Sequence, residues 1–275
     1  MSAPRVAVVT VAHGRHAHLT EQQRSLSTVA GPAGTPAHDR VVVAMGDPRI
    51  PAVVGRDDVV DLPLPADGRL PLAAARNLGA AEALRRGAEV LVFLDVDCLA
   101  GPGTVAAYAA AVADEPDVVW CGPVTYLSPD DRPYPLERLA ELDDPHPARP
   151  APAPGARERG GDWALFWSLS FALSADAWRR TGGFDEAYTG YGAEDTDLGQ
   201  RARAAGLGLG WLGDAPAYHQ HHPTSDPPVQ HAADIVRNGR LFAARWGWWP
   251  MGGWLEQLAA RGLVVREDDG WRLVP

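Results

Sequence analysis

Three short stretches of this 275-residue chain hold residues that do chemistry. "LDVDC" (94–98) ends an apolar run on two aspartates, Asp95 and Asp97. Side chains two apart on a strand share a face, so both carboxylates would stand on one side of a strand end. That arrangement suits a hard divalent cation with room for a phosphate, although Asp95 could equally cap a turn and Asp97 the next helix. "GYGAEDTDLGQR" (190–201) places Glu194, Asp195 and Asp197 in a first helical turn, where the helix dipole favours negative charge. Read plainly, that is helix-terminus chemistry. Yet Phe184, Tyr188 and Tyr191 flank the acids, and a carboxylate beside an aromatic, sugar-stacking platform can serve as general base toward a hydroxyl. "AYHQHHP" (217–223) adds His219, His221 and His222, which could ligate a transition metal or Mn²⁺. Because strand neighbours diverge, one or two of the three can share an ion.

The elements around these stretches must bring them together. "RVAVVTVA" (5–12), "RVVVAMGD" (40–47), "DDVVDLP" (57–63) and "AEVLVFLDVDC" (88–98) have the length and apolar content of buried strands. Between them, "HLTEQQRSLSTVA" (18–30) sets Leu19, Leu26 and Val29 at helical spacing. "PLAAARNLGAAEALRRG" (71–87) is a helix bounded by Pro71 and Gly87. Arg76 and Asn77 on it could meet an acidic site and a ligand, or be an ordinary surface arginine and helical asparagine. Strand–helix alternation with all-apolar strands implies an α/β fold with a parallel sheet covered on both faces. Ligands then bind at the carboxyl ends of strands, where Asp95 and Asp97 stand.

A helix over 104–113 and a strand over 117–127 follow. The Pro-rich stretch 128–160 reads as a loop, linker or substrate lid. Regular structure resumes at 162, and the tail carries "RWGWWPMGGW" (245–254), a helix and a polar end.

Composition narrows the function. A net charge of −10 argues against a nucleic-acid footprint and against docking on anionic lipid. All 25 basic residues are arginine, a bias that fits a high-GC, bacterial genome. Cys98 and Cys121 form neither a disulfide framework nor a metal-finger spacing, so a reducing cytoplasm is the expectation. The first residues lack the apolar core of a signal peptide, and no apolar run reaches the ~20 residues of a spanning helix.

Taken in order, these pieces resemble the GT-A glycosyltransferases, specifically family 2 and the β-1,4-galactosyltransferase group. "VVTVAHGRHAHL" looks like the opening strand and nucleotide-contacting loop, "AAARNLGAAEA" like the helix before the metal strand, and "VFLDVDC" like the D-x-D motif. "GGFDEAYTGYGAEDTDLGQRARAAG" is similar to the family's G-G-F-D-E … E-D-x-D-L block, the most specific of the four. The resemblance covers residues 5–222 and implies a mostly parallel central sheet flanked by helices. It implies that Asp97 ligates Mn²⁺ or Mg²⁺ with Asp95 as partner, and that His219, or alternatively His221, is a further ligand. Thr10, Arg15, Asp47, Arg76, Asn77, Asp95, Gly182 and Gly183 fall on the side of the nucleotide-sugar donor. Asp195 takes the general-base position and Glu194 orients the acceptor, with Tyr191 and Trp163 as acceptor contacts. Tyr191 replaces a usual tryptophan, and "AMGDP" departs from the family's acidic signature around Asp47.

The expectation is an inverting, metal-dependent transferase moving a sugar, most often from a UDP-sugar, to a hydroxyl of a glycan, lipid or natural product. Residues 1–127 would form the donor half, 161–222 the acceptor half and 223–275 an extension. A sugar nucleotidyltransferase would need a glycine-rich phosphate loop with a basic residue, which "TVAHGRHAH" lacks. A non-catalytic carbohydrate-binding protein would not need both acidic motifs.

Overall fold

The computed structural model describes residues 3–28 and 38–275; Val29 lies outside the described residues. The first half alternates as expected: β1 (Val6–Ala12), α1 (His16–Thr28), β2 (His38–Met45), α2 (Ile50–Val54), β3 (Val59–Leu62), α3 (Leu72–Arg85) and β4 (Val90–Leu94). Every residue of β1 and β4 is buried, because both faces of the strands are covered. Ala7, Val9, Leu91 and Phe93 pack into one core and Val6, Val8, Val90 and Val92 into another, one on each side of the sheet.

After β4 come β5 (Cys98–Ala100), α4 (Thr104–Asp114), β6 (Val118–Cys121) and β7 (Val124–Tyr126). The single strand expected over 117–127 is therefore two. Gly122 and Pro123 break it: Pro123 has no N–H to donate, and a Cβ on Gly122 would sit 1.7 Å from the Ala215 carbonyl oxygen. The chain continues through β8 (Arg157–Arg159), β9 (Ser170–Ser174), α5 (Ala175–Thr181), α6 (Glu194–Ala204), β10 (Gly208–Leu212) and β11 (Ala217–His219).

Among the described residues the large sheet has the order β3-β2-β1-β4-β9-β6-β10-β8, with β9 and β8 antiparallel to their neighbours and the other pairs parallel. A second sheet, β5-β11-β7, branches from the end of β4. Residues 128–160 are short 3₁₀ turns and β8; their Tyr134, Leu136 and Leu139 are buried against Leu99, Leu127 and Tyr218. Beyond β11, α7 (Ala232–Trp246), α8 (Gly252–Ala260), β12 (Val264–Glu267) and β13 (Gly270–Leu273) surround a small core of Ile235, Leu255, Leu258 and Trp271. The expected polar end is thus a hairpin, turning at Asp268–Asp269 and closed by Val264 opposite Leu273.

Candidate active site

The small sheet sets Cys98, His219 and Tyr126 side by side. Asp97 immediately precedes Cys98, so its carboxylate falls beside His219. Neither Asp95 nor Asp97 is on a strand; both lie in the turn between β4 and β5, and the shared-face argument does not apply to them. His219 Nε2 is 3.6 Å from Asp97 Oδ1, and His222 Nε2 is 3.3 Å from Oδ2. One ligand atom from each of the three residues fits within 4.8 Å of the others, close enough to converge on one ion. A carboxylate with two imidazoles suits Mn²⁺ better than Mg²⁺, which prefers oxygen. Burial would raise the Asp97 carboxyl, but a hydrogen bond from His222 and the charges of His219 and Arg15 outweigh it and hold it at about 2. The third partner is thus His222 rather than His221. The strand ends at His219, so alternation does not carry on to residue 221. The His221 backbone is taken by Tyr134, His18 and Arg132.

Asp95 turns the other way. Arg76, 5% exposed, donates from Nη2 to Asp95 Oδ1 at 3.0 Å and from Nη1 to Glu194 Oε1 at 3.2 Å. Its guanidinium also lies 5.2 Å from the centre of the Phe184 ring. One buried cation therefore ties the β4–β5 turn to the start of α6. Burial and the neighbouring Asp195 charge push Glu194 up to about 7 against the pull of Arg76. Burial likewise raises Asp195, although its Oδ1 accepts from the Thr196 N–H at 2.7 Å. The Tyr191 phenol is raised by burial and by Asp195, Glu194, Tyr126 and Asp95, so helix and turn face one space. The Tyr191 ring stacks on His231 at 4.4 Å, with Trp254 at 5.8 Å.

Asp197 belongs to the scaffold. It is fully buried, and its Oδ1 accepts from Tyr188 Oη (3.2 Å), Arg245 Nη1 (2.8 Å) and Trp246 Nε1 (2.8 Å). Those contacts pin α6 to α7.

With this geometry in place, likeness to other proteins is informative. Residues 160–223, which include α6 and its acids, match the model of a family described as the N-terminal domain of galactosyltransferase. The structure superimposes on GalNAc-T7 solved with UDP, GalNAc and Mn²⁺ (TM-score 0.54, 14% identity, 88% of this chain and 51% of that one). It also superimposes on TarS of S. aureus solved with UDP-GlcNAc (TM-score 0.57, 15% identity, 87% and 66%). This is the GT-A glycosyltransferase fold.

A validoxylamine A glucosyltransferase of Streptomyces hygroscopicus subsp. limoneus is 32% identical over 263 residues, 85% of this chain and 56% of that protein. Its namesake from subsp. jinggangensis is 34% identical over 190 residues, 60% of this chain and 44% of that protein. The chain spans about half the length of the curated relatives it matches.

Several residues assigned to the GT-A site from the sequence do other work. Thr10 is 1% exposed, and its hydroxyl donates to the Leu94 carbonyl and accepts from Gln22, so its polar partners are protein groups. Asn77 spends its whole amide on Phe184 and Glu186. Gly182 and Gly183 have left-handed backbones, and a Cβ on Gly183 would meet Asn77 Oδ1 at 2.7 Å; the pair forms the turn that seats on α3. Trp163 is buried in the main core with Phe166 and Trp211, so it offers no ring to an acceptor. Asp47 is nearly buried and accepts from Gly14 N–H, Arg49 N–H and His16, which hold its carboxyl down despite burial and fasten the β1–α1 loop. Of the others, Arg76 joins Asp95 to Glu194, the residue before Asp195, and Asp97 and His219 cluster with His222, which Arg15 contacts. Sequence reasoning missed Tyr126, which is 52% exposed and stacks on His219 at 4.6 Å. A lone tyrosine in "PVTYL" carries no signal until strand pairing places it there.

Proposed function

We propose that this chain is an inverting, metal-dependent glycosyltransferase that moves a sugar from a nucleoside-diphosphate donor, a UDP-sugar, to an acceptor hydroxyl. The observation that carries this reading is Arg76, whose single guanidinium joins Asp95 to Glu194 and so sets a metal-ligating triad opposite a pair of high-pKa carboxyls. Asp97, His219 and His222 would hold Mn²⁺, which in its bound state supplies positive charge to the departing diphosphate. Asp195 accepts the proton of the acceptor hydroxyl as that oxygen bonds to C1 and the C1–O bond to the diphosphate breaks. One displacement on one face inverts the anomeric centre. Glu194, held by Arg76, orients the acceptor, and Tyr191 with His231 and Trp254 forms the shelf against which it rests. Tyr126 belongs to the opposite wall.

The relatives' names make a glucosyl donor and validoxylamine A the first pair to assay. The test is a panel of nucleotide sugars with and without Mn²⁺. Metal-dependent release of nucleoside diphosphate, lost in excess chelator, is expected. Pyrophosphate exchange would instead mean a nucleotidyltransferase, and neither activity a binding protein.

A further inference from the structure

His222 carries two competing hydrogen bonds on one atom. Its Nδ1 lies 3.3 Å from Arg15 Nη2, which can only donate, and 3.3 Å from the Pro223 carbonyl oxygen, which can only accept. The other ring nitrogen, Nε2, is the one that faces Asp97 Oδ2 at 3.3 Å. A neutral imidazole has one proton, so the two arrangements exclude each other. When Arg15 donates to Nδ1, the proton must be on Nε2, pointing at Asp97. When Nε2 offers its lone pair to a cation, the proton must be on Nδ1, where Pro223 can accept it and Arg15 has no acceptor. A metal-bound histidine typically donates its second N–H to such a carbonyl.

We propose that Arg15 and the divalent cation compete for His222, so that cation binding releases the Arg15 guanidinium from the imidazole toward the donor's phosphates. This rests on the reading of Asp97, His219 and His222 as the cation site. The proton balance is closed: as one proton leaves Nε2, one joins Nδ1 through solvent. Two further observations locate Arg15 at this junction. Its backbone is left-handed (φ 52°), unusual for a residue with a side chain, at the turn that leads from β1 into α1. Its guanidinium reaches the cluster at His222, the residue whose Nε2 faces Asp97. Arg15 is thus a positioning residue that weakens the empty cation site and is redeployed when the site fills.

The experiment compares this chain with its Arg15→Met and Asp97→Asn variants. Mn²⁺ affinity is measured by calorimetry without nucleotide, and the His222 tautomer by ¹⁵N–¹H NMR with and without diamagnetic Zn²⁺. Expected are an Nε2–H tautomer in the metal-free wild type, a shift to Nδ1–H on Zn²⁺ binding, and a shift toward Nδ1–H in metal-free Arg15→Met. That variant should bind Mn²⁺ about tenfold more tightly, the order expected for removing a nearby like charge and a competing bond. Its UDP affinity in saturating Mn²⁺ should fall. If wild type binds Mn²⁺, Asp97→Asn abolishes it, and Arg15→Met changes neither affinity nor tautomer, the competition is refuted while the cation site stands. If wild type binds no Mn²⁺, or Asp97→Asn binds it as well as wild type does, the cation site itself is refuted.

Discussion

The β4–β5 turn and the start of α6 each present acidic residues to the same space, yet they are built for opposite electrostatics. In the turn, Asp97 is held at about 2 by surrounding cationic and imidazole groups. On the helix, Glu194 is pushed up to about 7 and Asp195 is raised as well, with Arg76 only partly offsetting burial. A cation ligand must stay ionised, whereas a base must be able to hold the proton it takes. Each motif also divides its labour: Asp95 and Asp197 bind arginines that fix the scaffold, while Asp97 and Asp195 are the two to which the proposed mechanism gives the chemistry. Two carboxylates in a short motif are therefore a positioner and an actor, not a matched pair.

The sharpest way to break this contrast is Asp195→Asn. Removing a general base should lower kcat by about 10²–10⁴-fold. Nucleotide affinity, which depends on the other wall, should change by less than about threefold. Steady-state kinetics with calorimetry of UDP binding in Mn²⁺ decides the matter; an equal loss in both quantities would remove Asp195 from the base position.

Asp197→Ala tests the other half of the division of labour. It would strip Arg245 and Trp246 of a fully buried acceptor and should cost about 3 kcal/mol, the lower end for breaking a buried pair, because Arg245 is partly exposed. Denaturant unfolding should show this loss, while Asp195→Asn leaves stability unchanged or improved. Equal stability of the two variants would mean that the acids are not divided as described.

This distinction marks where legibility in the sequence stopped. The order and type of the strands around "VAVVTVA" and "VLVFL" were readable because buried parallel strands have few alternatives to an unbroken apolar run. The four motifs were likewise readable as a set. Roles within a motif were not, because whether Asp197 or Asp195 meets solvent depends on α7, some fifty residues downstream. The burial of Thr10 and Trp163 was illegible for the same reason: a hydroxyl or an indole looks identical in sequence whether it faces a ligand or a carbonyl. The choice among the three histidines stayed open because the chain leaves its strand at His219, so strand alternation says nothing of which later imidazole turns toward Asp97.

A milder probe is pH. Glu194 has a folded pKa raised from 4.5 to about 7. Its contribution to stability is complete below 4.5 and is lost as pH rises through that window, since deprotonation is harder in the fold. The thermal midpoint of metal-free protein should therefore fall from pH 4.5 to about 7, less so in Glu194→Gln. Turnover should rise over the same range as the Glu194 carboxyl ionises and can accept from the acceptor. A midpoint that climbs steadily to neutral pH in wild type and variant alike would contradict the raised carboxyl.

The smallest expected effect is at Thr10→Val, and it isolates one wall from the other. The substitution keeps shape but removes a hydroxyl that bonds the Leu94 carbonyl and Gln22. Gln22 retains its bonds to the Leu94 and Asp95 carbonyls, so no buried donor is orphaned. The cost should stay at about 1 kcal/mol or less, the net value of one hydrogen bond. Because Thr10 is only 1% exposed, UDP affinity should be unchanged. A roughly tenfold weaker UDP affinity in a stably folded variant would mean that the β1 hydroxyl reaches the nucleoside after all. The opening loop would then turn over when donor binds, and the wall that holds the cation would be the mobile one.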